Sequence, residues 1–127
     1  MSNRSIPVPV WRTVDGTLDN VAAVELIAGD LAVEAHATAL REAGWAAMSH
    51  HPERHPESGW PPEEAELRIE LSAADEDFIR QALEDGQRMT LQILAEPDLE
   101  PSVRQEQEEA RAAGDLALRF WRTLSTP

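Results

Sequence analysis

Three histidines, His50, His51 and His55, fall within six residues, interleaved with Glu53 and followed by Glu57. Imidazole and carboxylate together suit Zn2+ or Ni2+, so this cluster is the candidate metal site. The run His51-Pro-Glu-Arg-His55 departs from the zincin pattern, which needs a helix to bring both imidazoles to one face and a Glu directly after the first His. Pro52 and Pro56 forbid a regular helix here. The expectation is therefore a polar surface loop without bound metal, and no cofactor is expected.

Two carboxylate pairs at i,i+3 spacing, Glu63/Glu66 and Glu106/Glu109, could hold Mg2+ on one helical turn, as a metal-dependent hydrolase would require. Acids are favoured in first helical turns on electrostatic grounds alone, and these pairs lack the further acids that such enzymes carry. His36 lies in an amphipathic stretch with no second group beside it in the sequence to orient it, and reads as structural. The sequence holds no nucleophile elbow, phosphate loop, dinucleotide fingerprint or Cys–His pairing. A non-enzymatic role is favoured.

The elements that would position these groups are read from periodicity. Ile6, Val8, Val10 and Val14 alternate with Pro7, Pro9, Trp11 and Thr13, which predicts an edge strand over 6–14, since proline cannot donate to a ladder. Asp15-Gly16 supplies turn chemistry. A helix is predicted over about 19–47, with Val21, Val24, Ile27, Leu31, Ala35, Ala39 and Ala43 as its apolar stripe. Gly29 either marks close packing within it or breaks it, with Asp30 capping a restart. Residues 49–62 form a Pro/His-rich loop.

Residues 63–95 carry two periods. Leu67, Ile69 and Leu71 alternate, Ser72 to Asp75 forms a capping box, Phe78, Ile79, Ala82 and Leu83 share a helix face, and Gly86 suits a helix C-terminus. Met89, Leu91 and Ile93 then alternate again. That gives strand 66–71, helix 73–85 and strand 87–94. Leu67, Leu71, Ala74, Phe78, Ala82, Met89 and Ile93 also fit one long helix. A final helix is predicted over 102–124, opened by a Ser102–Gln105 capping box. Its apolar side holds Val103, Ala110, Ala113, Leu116, Ala117, Phe120 and Leu124, leaving Leu118 and Trp121 exposed.

These elements predict an α+β fold in a single domain over 1–127, with a small sheet of about three strands covered by helices. The alternative is a three-helix bundle with long antiparallel helices. The length suffices for one core without disulfides, and the 42% apolar fraction argues against a disordered chain. No run is long enough to span a bilayer and no signal peptide is evident. Cysteine is absent, which agrees with a reducing cytoplasm.

The formal net charge is −13, and all eleven basic residues are arginine. Lysine catalysis and a lysine phosphate loop are thereby excluded. Such a surface repels nucleic acid and anionic lipid and speeds encounter with a basic partner. Four of the six aromatic residues are tryptophan, a residue favoured in interfaces. The expected function is a small acidic protein-interaction module (an inhibitor, immunity-type or regulatory protein) that binds a basic or apolar partner surface. The contacts are expected at Leu118, Trp121, Trp60, Glu63, Glu64 and Glu66. A DNA mimic, a metal-dependent hydrolase and a structural subunit of a homodimer or larger homo-oligomer are the alternatives.

Overall fold

The computed structural model describes residues 1–124. In chain order the elements are β1 (Ser2–Pro7), α1 (Val8–Ala28), α2 (Leu31–Ser49), β2 (Glu66–Leu71), α3 (Ala73–Leu94) and α4 (Pro101–Leu124). The fold is α+β, a small antiparallel sheet covered by helices, with two strands among the described residues. Ser2 lies opposite Leu71 and Pro7 opposite Glu66. β2 follows its alternation: Leu67, Ile69 and Leu71 are buried, and Glu66, Arg68 and Glu70 are exposed.

The strand expected over 6–14 is displaced. β1 ends at Pro7, and α1 starts at Val8 with Pro9 in its first turn. A proline costs nothing there, because the first N–H groups of a helix have no intrahelical acceptor. Val10, Val14 and Leu18 recur every four residues, and Trp11 lies beside Val10 on the same buried side. Alternation over so short a run does not distinguish the two periods.

The helix expected over 19–47 is two helices. Gly29 takes φ 94°, a conformation open mainly to glycine, and its N–H closes α1 on Glu25 O. Asp30 then accepts from Val33 N at 3.2 Å and caps α2.

In residues 63–95 each of the two periods holds for part of the segment. β2 and the Ser72–Asp75 capping box form as expected. The strand expected over 87–94 is instead the second half of α3, which runs unbroken through Gly86. A side chain at Gly86 would meet Thr17 of α1 at ordinary contact distance, so this is where the two helices cross. α4 begins one residue before the expected box. Arg104 N reaches Glu100 O at 2.9 Å, and Gln105 bonds Glu109 at 3.4 Å rather than reaching back. The Arg104 guanidinium donates to Leu94 O (3.2 Å) and Glu96 O (2.9 Å), capping the end of α3 from α4.

One apolar cluster joins every element. It contains Ile6 of β1, Val8, Trp11, Val14 and Leu18 of α1, Ala37 and Leu40 of α2, Leu67, Ile69 and Leu71 of β2, Ile79 and Leu83 of α3, and Ala117, Leu118 and Trp121 of α4. Trp11 packs against Gly44 of α2, where any side chain would collide with its indole. No helix among the described residues is long and apolar enough to cross a membrane.

Candidate functional site

The His loop is held by its own backbone. His50 Nδ1 lies 2.8 Å from Ala46 O, His51 Nδ1 accepts from Glu53 N at 3.1 Å, and the His55 N–H donates to Trp60 O at 3.0 Å. His50 and His51 are engaged through their rings and His55 through its backbone, and no group of three His, Cys, Asp or Glu among the described residues is placed to hold a metal ion. His50, His51 and His55 are not gathered into a metal site.

Of the carboxylate pairs, Glu63 and Glu66 separate. Glu63 lies in the loop before β2, where Arg12 reaches it at 3.3 Å, and Glu66 opens the strand. They do not share a helical turn. Glu64 is exposed beside them. Glu106 and Glu109 do lie on α4, exposed. Trp60 is half-buried, with the Arg12 guanidinium 5.2 Å from its ring centroid.

Leu118 and Trp121 are buried, at 5% and 0% exposure, and their expected role as exposed contacts is corrected. The inward face of α4 is Gly114, Ala117, Leu118 and Trp121, an i, i+3, i+4, i+7 set rotated from the expected one, and Leu116 is left outside. Gly114 contributes nothing to hydrophobic patterning, so the sequence hides the start of this face. The Trp121 indole donates to Glu76 O at 2.9 Å.

Two features appear only in three dimensions. The first is the opening turn of α3, on which three other elements converge. Arg4 of β1 grips the Glu76 carboxylate with two bonds, at 2.8 and 3.2 Å. Trp121 of α4 bonds the Glu76 carbonyl. From α2, His36 Nε2 lies 2.8 Å from Asp75 Oδ1 while its ring packs on Phe78, centroids 4.2 Å apart. Asp75 Oδ2 meanwhile accepts from Ser72 N at 2.9 Å. Burial pushes the Asp75 carboxyl up, but the Ser72 amide, His36 and the Ser72 hydroxyl together hold it below the usual carboxylate range. Asp75 supplies the orienting group for His36 that the sequence does not show. Ser72 accepts from Asp75 N (3.0 Å) and is tied to the cap rather than to the imidazole, so the arrangement is an interhelical clasp and not a nucleophile–base–acid relay.

The second feature is an apolar flank. Val24, Leu26, Ile27 and Leu31, at the joined ends of α1 and α2, are 51%, 62%, 90% and 62% exposed. Of the expected core stripe, Val21 and Ala43 pack against the core, while Ala35 and Ala39 are exposed with the residues at the tip. Beside it a groove of about 350 Å3 opens between α1 and α3, lined by Val21, Val24, Phe78, Ala82 and Met89, with Glu25 and Asp85 among its polar groups.

Comparison with protein-family models finds no match, and comparisons with curated proteins and with solved structures find none either.

Proposed function

We propose that this chain is a small acidic protein-interaction module, of inhibitor, immunity or regulatory type, that binds a partner protein through an apolar patch set in an acidic surface. One observation carries the reading: Val24, Leu26, Ile27, Leu31 and Met89 stand half exposed or more in a chain of net charge −13. Apolar side chains that no part of the fold covers mark interaction surfaces when they are contiguous. The surrounding charge adds long-range attraction to a basic partner and repulsion from other acidic chains. The lack of cysteine supports a reducing compartment such as the cytoplasm as the place of action.

The test is affinity capture from native lysate at low and moderate salt, run with wild type and with Ile27→Glu, alongside light scattering of the purified protein. The reading expects a captured protein that is lost on raising salt and lost again with Ile27→Glu. A wild-type homo-oligomer that Ile27→Glu dissociates would favour the assembly-subunit alternative. Capture of a nucleic-acid-binding protein that is indifferent to Ile27→Glu would favour the DNA-mimic alternative.

A further inference from the structure

The apolar groove between α1 and α3 does not end at Met89. A second groove, of about 450 Å3, lies between α1, α3 and α4, and Asn20 and Met89 line both. The two adjoin at those side chains, and the trough they make together runs from Val24 and Phe78 at one end, past Met89, to Ile93 and Ala110 at the other. Met89 is 56% exposed at the junction. An unbranched thioether in such a place adapts to the shape of what covers it, and methionine is over-used on surfaces that accept helices.

We propose that this trough binds an amphipathic α-helix of the partner protein, carrying apolar residues at i, i+3 or i+4, and i+7 on one face and Arg or Lys along its flanks. The proposal rests on the interaction-module reading above and adds to its exposed apolar tip a second contact with a stated ligand class. Two arguments select this occupant. The trough walls are α1, α3 and α4, with Val33 of α2 at one end, and no strand lines it. An extended peptide would find no backbone ladder to join, whereas a helix arrives with its own hydrogen bonds made. The charge is complementary as well. Glu25 and Asp85 line the first groove with no basic side chain, and Arg12, the charged residue lining the second, is paired with Glu63 at 3.3 Å.

The experiment is an NMR titration of the full chain, following the methyl groups of Val24, Ala82, Met89 and Ile93, with three synthetic peptides of about five helical turns. The first has leucines at i, i+4 and i+7 with arginine flanks. The second replaces each arginine with glutamate. The third keeps the composition of the first but carries two central prolines that prevent a helix. The expected result is that only the first peptide shifts the trough methyls, and that its affinity falls tenfold or more between low and high salt. Met89→Glu, at an exposed position, is expected to weaken binding tenfold or more with circular dichroism and Tm unchanged. Ile27→Glu, outside the trough, is expected to leave peptide binding intact.

Equal binding of the proline peptide would overturn the helical occupant, and equal binding of the glutamate peptide would overturn the charge argument. Shifts confined to other residues would overturn the site. Peptide-independent, concentration-dependent shifts of the same methyls would give the trough to a second copy of this chain. The parent reading fails separately. A lysate partner lost with Ile27→Glu but retained by Met89→Glu would leave the module standing and sink the trough. No captured partner at all would sink the module.

Discussion

From Val8 to Leu18, α1 buries valines, a leucine and Trp11 completely or nearly so. From Val24 to Ile27 the same helix presents a valine, a leucine and an isoleucine to solvent. Composition does not separate the halves. What differs is the company they keep. The first half lies within a cluster built from the sheet, α2, α3 and α4, while the second half extends beyond it and is flanked by α2 and the edge of a groove. Amphipathic spacing records which side of a helix is apolar. It does not record whether another element arrives to cover that side.

The contrast can be tested from its buried end outward. Trp11→Ala removes a completely buried indole and is expected to cost about 3–5 kcal/mol, read as a shift in the urea midpoint with the slope preserved. Asp75→Asn breaks the clasp from α2 to α3 and weakens the α3 cap, at an expected cost of about 1.5–3 kcal/mol near neutral pH. Its pH signature follows from the direction of the shift. A carboxyl held below its unfolded value of about 3.9 contributes stability that is present above that value and lost as pH falls through the lower folded value. Acid titration of unfolding should therefore be shallower below pH ~4 in the Asn variant than in wild type. An unchanged acid limb would remove the clasp from the stability account.

Gly44→Ala forces a methyl into the Trp11 indole and is expected to cost about 1–3 kcal/mol. The cost should largely vanish in the background of Trp11→Val, and a double-mutant cycle would read the difference. At the exposed end, Ile27→Ser is expected to change stability by less than about 0.5 kcal/mol. A large loss of Tm there would mean that the tip is covered after all, and would remove the main support for an interaction surface.

The sequence made some of this legible and concealed the rest for identifiable reasons. β2 and the Ser72 cap were readable because each is encoded by near neighbours: alternating Leu67, Ile69 and Leu71, then Ser72 three residues before Asp75. Asp30 as the cap of a restarted helix was likewise visible as one of two options at Gly29. Residues 6–14 and 87–94 misled because a few alternating apolar residues satisfy both periods over so short a stretch. Gly86 misled as well, since it lies in mid-helix where a methyl would meet Thr17 only at ordinary contact distance. The inward face of α4 was concealed by Gly114, which marks close approach by having no side chain. The clasp and the trough were not encoded locally at all, since His36 and Asp75, or Val24 and Met89, meet only after the helices have packed.

The pairing of β1 with β2 also sets an order of events. Ser2 to Pro7 are made before every other element of the fold, yet their hydrogen-bond partners are Glu66 to Leu71. During synthesis the first strand has no mate until the whole α1–α2 hairpin and the loop after it have emerged. Closing so long a chain segment costs entropy that local helix contacts do not. The hairpin, turned by Gly29 and bridged by Arg41 to Asp15 and Asp19, is the unit able to form early. The sheet then closes over it as a late step, when Arg4 finds Glu76 and locks the amino-terminal strand to the start of α3.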